Sequence, residues 1–287
     1  MFQIIKHEQF SPVTFLWEVL APDLAKASEP GQFVMVRIRE GGERIPLTIA
    51  DYDPEKGTIT LVIQAVGRSS NEMMELREGD YIMDLLGPLG IPSHIEKNEG
   101  RVVLVGGGLG VAPIYPQLRK YKELGNYTIS IMGFRNEELI FWADRFIKYS
   151  NEFHIATDDG SAGTKGFVTT VLEDVLKRNP DVSEVVAIGP LIMMKACADL
   201  TRKYNVKTIV SLNTIMVDGI GMCGSCRVTI DGEVQFACVD GPDFDAHKVD
   251  WNELMSRQKR FSGEECHAQE CFEAECRARK KYEEVHS

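Results

Sequence analysis

The sequence predicts a β + α/β protein: a β-rich N-terminal domain, an α/β domain with a doubly wound parallel sheet, and a C-terminal region built around a cysteine loop. Three observations support this. Short alternating apolar runs lie between turn sequences up to about residue 98, as in residues 33–38 and 58–63. Continuous apolar runs then alternate with helical segments. All seven cysteines lie at or after Cys197.

The β-rich domain is expected at residues 1–98. Turn signals such as Pro30-Gly31 and Gly41-Gly42 separate its short strands, and this spacing is typical of an antiparallel barrel or a sandwich. The sequence Gly87-Pro88-Leu89-Gly90 closes the region.

The α/β domain is expected at residues 99–210. Its first strand, residues 101–105, is apolar throughout, as in strands covered on both faces. The other predicted strands are residues 128–132, 153–156, 184–188 and 208–210, and the predicted helices are residues 113–124, 169–178 and 192–204. This alternation predicts a doubly wound parallel sheet.

Composition excludes several functional classes. The chain has 287 residues, 44% hydrophobic and 26% charged, which argues against disorder. Its formal charge of −11 makes nucleic acid an unfavourable partner. No apolar run is long enough for a membrane span and no secretory signal is visible, so we expect no membrane association and a cytoplasmic location.

A glycine-rich segment follows the first strand of the α/β domain and opens a helix. Glycines allow a tight turn and close approach of an anionic group, and a helix N-terminus offers unpaired N–H groups to a pyrophosphate. The alternative is a strained turn without a ligand, because Val111 replaces the third glycine of the usual fingerprint. The segment comprises Gly106, Gly107, Gly108, Gly110, Val111, Ala112 and Pro113.

Two later segments also follow predicted strands. Asp158 and Asp159 follow one strand, and Gly189, Pro190 and Met193 follow another. Because the carboxyl ends of parallel strands line one edge of a sheet, all three segments should meet at one crevice.

Asp218, Cys223, Cys226 and Cys238 form a candidate metal site between residues 211 and 245. Their Asp-x4-Cys-x2-Cys spacing with a distant cysteine is that of a plant-type [2Fe–2S] loop in which a carboxylate replaces the first thiolate. A zinc site with the same residues and a Cys223–Cys226 redox disulfide are the alternatives.

The remainder, residues 246–287, is predicted to be a charged helical tail, suited to docking a partner. Cys266, Cys271 and Cys276 are five residues apart, a step that turns about 140° beyond a full revolution of an α-helix. We therefore interpret them as incidental thiols, with a second metal centre involving His267 as the lesser alternative.

The order along the chain of a β-rich domain, a glycine segment and a cysteine loop resembles that of the ferredoxin–NADP reductase superfamily. Within it, residues 1–245 are similar to the electron-transfer subunits related to class B dihydroorotate dehydrogenase, and to the small subunits of NADH-dependent reduced ferredoxin:NADP oxidoreductases. The resemblance implies an FAD-binding barrel. It also implies that Asp218 and the three cysteines hold a [2Fe–2S] cluster.

The resemblance assigns further residues to cofactors. Arg44, Pro46, Leu47 and Thr48 match the family's flavin-binding strand, with Leu47 at the aromatic position and Thr48 at the serine position. The second flavin segment matches Gly67, Ser69 and Ser70. The three crevice segments match the nicotinamide-nucleotide segments.

The implied function is electron transfer between NAD(H), FAD and the cluster, and on to a larger iron–sulfur flavoprotein subunit that exchanges electrons with ferredoxin, with electron bifurcation as one form of this reaction. NADP(H) is an alternative nucleotide, because Arg135 could meet a 2′-phosphate. No acid, base or nucleophile is assigned. The alternatives are a diaphorase subunit of a hydrogenase or dihydroorotate dehydrogenase-like complex and a non-catalytic zinc-binding assembly module.

Overall fold

A computed structural model describes residues 1–286. The N-terminal part forms one antiparallel seven-stranded sheet, which curls into a nearly closed barrel with the strand order β6-β1-β2-β5-β4-β3-β7. This arrangement decides between the barrel and the sandwich that the turn spacing left open, in favour of the barrel. Its elements are β1 (Phe2–Ser11), β2 (Thr14–Leu20), α1 (Pro22–Ala27), β3 (Phe33–Arg37), β4 (Ile45–Asp53), β5 (Thr58–Gln64), α2 (Arg68–Glu75), β6 (Tyr81–Ile82) and β7 (Asp84–Leu89).

Alternation along each strand fills the barrel with apolar side chains. Trp17, Ile59 and Leu61 are completely buried inside it. On β3, Val34 and Val36 face this interior, and Phe33 and Met35 lie on the outer face, where they are buried against other parts of the chain. The outer face of β3 is therefore an interface.

The second sheet has the order β11-β10-β9-β8-β12-β13-β16, with every pair parallel except β13 and β16. Its order around β8 is that of a doubly wound sheet, as predicted. The strands are β8 (Arg101–Gly107), β9 (Thr128–Phe134), β10 (Glu152–Thr157), β11 (Thr164–Lys165), β12 (Val182–Ile188), β13 (Lys207–Ser211) and β16 (Asp243–Asp245).

Helices cover both faces of this sheet. The apolar side chains of α3 and α4 pack on one face, and those of α5 and α6 pack on the other. These helices are α3 (Val111–Glu123), α4 (Ala143–Tyr149), α5 (Val168–Arg178) and α6 (Leu191–Lys203). Each predicted strand and helix of this sheet is present, with ends that differ by a few residues.

The C-terminal part is more ordered than the predicted loop. It contains a hairpin of β14 (Arg227–Ile230) and β15 (Glu233–Phe236). It then returns through β16 to the edge of the second, mostly parallel sheet (hereafter the large sheet). The tail then forms α7 (Trp251–Gln258) and α8 (Ser262–His286), as expected for a helical tail. Within residues 1–286, no helix is both long enough and apolar enough to cross a membrane.

Candidate cofactor-binding site

The topological switch point of the large sheet lies between β8 and β12, where the chain reverses its direction of strand addition. The glycine segment leaves β8 and the Gly189-Pro190 segment leaves β12, so the two are neighbours. A Cβ atom on Gly107 would lie 2.2 Å from the Met193 sulfur, and one on Gly110 would lie 2.2 Å from the carbonyl oxygen of Ile188. These two glycines are required by close contact between the segments.

The N-terminus of α3 begins at this switch point. Gly108–Gly110 form a single 3-10 turn, and α3 continues from Val111 with no side chain capping its first N–H groups. Gly108 has φ +53°, a conformation that favours glycine, and a Cβ there would meet open space. The segment thus presents backbone N–H groups and the positive end of a helix dipole to an anion.

The Asp158-Asp159 segment lies at the same edge, two strands from β8. The N–H of Asp158 donates to the carbonyl of Phe134 (3.1 Å), and the N–H of Asp159 donates to that of Arg135 (3.3 Å). The Asp159 carboxylate accepts hydrogen bonds from both the N–H and the hydroxyl of Ser161, which lower its pKa. Arg135 and both aspartates are exposed at the outer rim of the edge.

Strand β4 carries the predicted flavin residues on two different faces. In the register with β3, Pro46 pairs with Met35 and Thr48 pairs with Phe33, so these four residues share the outer face of the barrel. Leu47 packs against the barrel core instead. The outer face of β4 therefore offers Pro46 and Thr48, both half-buried, to a ligand.

The outer face of β3 and β4 contacts both other parts of the protein. Phe33 and Met35 belong to the apolar cluster that contains Cys226 and Cys238, and Ala50 belongs to the cluster that contains the residues of α3. The half-buried part of β4 therefore lies between the large sheet and the cysteine region.

The second predicted flavin segment starts α2. The Ser70 hydroxyl accepts hydrogen bonds from the N–H groups of Val66 (3.0 Å) and Gly67 (3.1 Å), which fixes the turn into the helix. The Ser69 hydroxyl donates to the Glu43 carboxylate. Arg44 is half exposed, and its guanidinium lies 3.8 Å from the Asp84 carboxylate. This Arg44 side chain is thus accessible to an anionic group.

The four predicted cluster ligands form two pairs. The sulfur atoms of Cys226 and Cys238 lie 3.2 Å apart and are buried. Asp218 and exposed Cys223 are joined because the Cys223 N–H donates to the Asp218 carboxylate at 2.6 Å. Within residues 1–286, no three Cys, His, Asp or Glu side chains converge on one point. All seven cysteines are free thiols in this structure.

The electrostatics of these residues fit a cationic metal group. The N–H of Ile220, followed by that of Cys223, stabilises the Asp218 carboxylate and lowers its pKa. Burial, with the neighbouring Cys226 thiol, raises the pKa of Cys238 to about 12. A bound metal stabilises thiolates, so a buried thiol pair with a carboxylate and a third thiol nearby suits a thiolate-binding metal such as iron or zinc. Gly219, Gly221 and Gly224 of the loop have positive φ, and the N–H of Ser225 lies 3.5 Å from the Cys223 sulfur.

Sequence reasoning missed the contact between the cysteine loop and the barrel. A Cβ on Gly219 would lie 2.7 Å from the Met35 side chain, so the loop that holds Asp218 rests directly on β3. Met35 in turn pairs with Pro46 of the flavin strand. No local signal marks this contact, because it joins positions far apart in the chain.

A second missed feature joins the barrel to the large sheet. The Asp51 carboxylate, on β4, accepts a hydrogen bond from the Arg119 guanidinium of α3 at 2.6 Å and lies 3.5 Å from that of Arg145. Arg119 also stacks over Tyr52, with 5.3 Å to the ring centroid. This ion-pair group fixes β4 against α3, beside the crevice.

Comparison with known proteins identifies the family of the chain. The profile of the iron-sulfur cluster binding domain of dihydroorotate dehydrogenase B matches residues 213–250. A Thermotoga maritima protein, named dihydroorotate dehydrogenase B (NAD(+)) electron transfer subunit homolog, is 45% identical over 92% of this chain and 92% of its own. The chain belongs to the family of dihydroorotate dehydrogenase B electron-transfer subunits and their homologues.

Solved structures agree with this family. A chain from the structure of NADH-dependent reduced ferredoxin-NADP oxidoreductase, studied for flavin-based electron bifurcation, is 43% identical with a TM-score of 0.89, over 95% of this chain and 98% of that one. Phthalate dioxygenase reductase (16% identity, TM-score 0.58, 80% and 85% covered) shares the fold. The predicted electron-transfer family and ferredoxin reductase-type fold are confirmed, as is an iron-sulfur binding region in the C-terminal part.

Proposed function

We propose that this family member is an iron–sulfur flavoprotein electron-transfer subunit that moves electrons between NAD(H), FAD and a [2Fe–2S] cluster. One observation carries the proposal. On the outer face of β3 and β4, Ala50 packs with residues of the large sheet and its helix α3, and Met35 contacts the cysteine loop. A flavin on the half-buried part of β4 would thus adjoin both neighbouring sites.

On this proposal, β4 and α2 hold the FAD. Arg44 supplies a guanidinium for a phosphate group, and Thr48 supplies a hydroxyl on the face that a flavin ring would cover. Gly67, Ser69 and Ser70 form the start of α2, where backbone N–H groups suit a pyrophosphate. Since Leu47 faces the barrel core, we assign it to support of β4 and not to stacking on the flavin.

The switch point holds the nicotinamide nucleotide. The N-terminus of α3 receives the pyrophosphate, and the adjacent segment, with Gly189, Pro190 and Met193, forms the other wall of the crevice. The carboxylates of Asp158 and Asp159 lie at the rim, where they suit the hydroxyl groups of a ribose better than a phosphate, because they would repel a second anion. This favours NAD(H) over NADP(H), although exposed Arg135 lies beside them.

The cysteine loop holds the cluster, with Asp218, Cys223, Cys226 and Cys238 as ligands. When bound, the flavin couples the two-electron chemistry of the nicotinamide to the one-electron chemistry of the cluster. The chain contributes position and electrostatics: β3 sets the separation of the two groups, and loop N–H groups near the sulfurs tune the potential. No side chain needs to act as an acid, base or nucleophile.

We further propose that the cluster delivers electrons to a larger iron–sulfur flavoprotein subunit that exchanges electrons with ferredoxin. The similarity to the NADH-dependent reduced ferredoxin-NADP oxidoreductase chain over nearly its full length supports this partner. A dihydroorotate dehydrogenase complex is the second candidate, since an electron transfer subunit of that enzyme from Shouchella clausii is 36% identical over 80% of this chain. Purification of the native complex and identification of its large subunit separates the two.

The proposal is tested on the full chain, purified without oxygen. We expect a flavin spectrum, iron and acid-labile sulfide in equal amounts, and bleaching of the flavin on addition of NADH. Cys226→Ser should lose most of the iron and keep the flavin, and the matched control Cys266→Ser should keep both. A colourless protein that contains zinc would overturn the proposal and favour the assembly module.

A further inference from the structure

A small basic cavity lies next to the cysteine loop. It is lined by residues in or next to β14, α7 and the segment that follows β13, opens to solvent, and has a volume of about 40 Å³. Its polar lining residues are Thr214, Ser225, Arg227, Arg257, Gln258 and Arg260. None of these residues has a part in the proposed binding of FAD or nucleotide.

The arginine side chains of this cavity are not neutralised. Within the described chain, neither Arg227, Arg257 nor Arg260 forms an ion pair with a carboxylate, although the protein has a net charge of −11. Burial, followed by repulsion from the other two arginines, lowers the pKa of Arg257, and Glu253 offsets this in part. Like charges held together in this way create a site for an anion.

A buried hydroxyl is also left without a partner. Thr214, one of the lining residues, is 5% exposed, and its buried Oγ1 atom has no hydrogen-bond partner. An unsatisfied buried hydroxyl is destabilising, so a ligand that accepts its hydrogen bond would remove this unfavourable contribution. One N–H of the Gln258 amide donates to the carbonyl of Asn213, and the Thr214 and Ser225 hydroxyls and the guanidinium groups are the other side-chain donors of the lining.

We propose that this cavity binds a single small oxyanion, a phosphate or a carboxylate, held by Arg227, Arg257 and Arg260 with Thr214 as a hydrogen-bond donor. The size supports a group of this kind. A water molecule needs roughly 10–15 Å³ of such volume, so the cavity has room for a few waters or one oxyanion and excludes a nucleotide. Guanidinium groups bind both phosphate and carboxylate through paired hydrogen bonds.

Because the cavity lies beside the proposed cluster, a bound anion should change the reduction potential of that cluster. This inference rests on the proposed function. An Nη2 atom of Arg257 donates to the carbonyl of Ser225 at 3.1 Å, and Ser225 precedes the ligand Cys226. Positive charge beside a cluster favours its reduced form, which carries the extra electron. A bound oxyanion offsets this charge and therefore lowers the reduction potential of the cluster.

Binding is measured first, on the full chain as purified. Phosphate and malonate are titrated separately by calorimetry at constant ionic strength, with chloride as the reference salt; the two arms distinguish a phosphate from a carboxylate ligand. We expect Arg260→Gln and Arg227→Gln to weaken binding of the preferred anion about tenfold each, which corresponds to about 1.4 kcal/mol. Thr214→Val should weaken it severalfold.

The matched control is Arg178→Gln, which removes an exposed arginine at the end of α5 whose Nε donates to the carbonyl of Asp174. It should bind the anions as the wild-type chain does, and it shows any effect of net charge alone. Phosphate bound at the nucleotide segments would be unaffected by all four substitutions. If the wild-type chain binds neither anion, or if the cavity variants bind both as the wild type does, the proposal is wrong.

The potential is measured separately, by a redox titration followed by EPR. The cluster of the wild-type chain should shift to a lower potential when the preferred anion is added, and that of Arg260→Gln should not shift. Anion binding without any change in potential would overturn the regulatory part alone. A chain that binds the anion at this cavity yet contains no iron or flavin would instead overturn the proposed function.

Discussion

Gly107 and Met193 face each other across the switch point of the large sheet, so closely that a Cβ atom on Gly107 would lie 2.2 Å from the Met193 sulfur. Gly107 is the last residue of β8, and Met193 lies in the first turn of α6, after β12. The glycine has φ −114°, which any residue can adopt, so the neighbouring side chain is the reason for glycine at this position. The two proposed walls of the nucleotide crevice are therefore fitted to one another.

This contact predicts that Gly107→Ala weakens NADH binding and that Met193→Ala restores part of it. The added methyl group must push the methionine into the crevice, and overpacking of this kind costs about 1–3 kcal/mol. We expect the dissociation constant for NADH to rise about tenfold in the single variant. Stopped-flow reduction of the flavin by NADH measures this.

A double-mutant cycle is the control, because it isolates the coupling between the two residues. The variant with both substitutions should bind NADH within a few-fold of Met193→Ala alone. If the effects of the two substitutions simply add, the contact between Gly107 and Met193 does not shape the crevice.

The proposed role of Asp218 predicts the effect of two substitutions. Asp218→Cys should retain a cluster but change its EPR spectrum and potential, because a thiolate replaces a carboxylate ligand. Asp218→Asn should lose much of its iron. The competing role is structural, since this carboxylate already accepts hydrogen bonds from the N–H groups of Ile220 and Cys223.

The matched control is Asp240→Asn, because the Asp240 carboxylate also accepts a backbone N–H, that of Phe236 at 2.7 Å, in the same region. This variant should keep the wild-type iron content and EPR spectrum. An Asp218→Cys protein with an unchanged spectrum and potential would show that Asp218 stabilises the loop and does not bind iron.

The ion pair between Asp51 and Arg119 predicts that the barrel and the large sheet stabilise each other. Asp51→Asn leaves two guanidinium groups, those of Arg119 and Arg145, without their carboxylate in a site where Asp51 and Arg119 are about 20% exposed. Breaking a fully buried pair costs about 3–5 kcal/mol, and partial exposure reduces this to about 2 kcal/mol. A decrease of about 5 °C in the thermal midpoint is expected.

Asp199→Asn serves as the comparison, because it breaks an exposed pair with Lys195 that has an N–O distance of 2.7 Å. Exposed helix pairs contribute about 0.3–0.5 kcal/mol, so the midpoint should change by about 1 °C or less. Equal effects of the two substitutions would mean that the Asp51 ion pair does not couple the two parts of the protein.

The sequence was informative wherever the chemistry is local. The strand–glycine–helix order predicted the α3 N-terminus, and the spacing of Cys223 and Cys226 predicted a metal-binding loop, because each signal lies within one short segment. The contact of Met35 with Gly219 and the ion pair of Asp51 with Arg119 could not be predicted in this way. Both depend on which strand faces which loop across a large sequence separation. The prediction for Leu47 was incomplete for a related reason, since only the register with β3 shows which face of β4 it occupies.

We predict that the stability of the protein depends on pH through Asp243. This residue lies between the segment that follows β7, helix α3 and the cysteine region. Its carboxylate accepts a hydrogen bond from Ser93 at 2.6 Å and lies 3.5 Å from the Gln117 amide, while its other oxygen is buried without a partner. Burial raises the pKa of this carboxyl above its ordinary value, against the opposing effect of the nearby Ser93 and Ser211 side chains. The folded protein therefore holds this proton more tightly than the unfolded chain does.

It follows that the carboxyl group contributes most to stability at low pH, and that this contribution falls as the pH rises from about 4, the unfolded value, through the raised pKa of the folded state. Asp243→Asn cannot lose a proton. The thermal midpoint of this variant relative to the wild type should therefore rise between about pH 4.5 and pH 8. Ser93→Ala should steepen the decline, because it removes a hydrogen bond that favours the charged carboxylate. A midpoint difference between Asp243→Asn and the wild type that stays constant over this range would show that Asp243 is ionised in the folded protein as readily as in the unfolded chain.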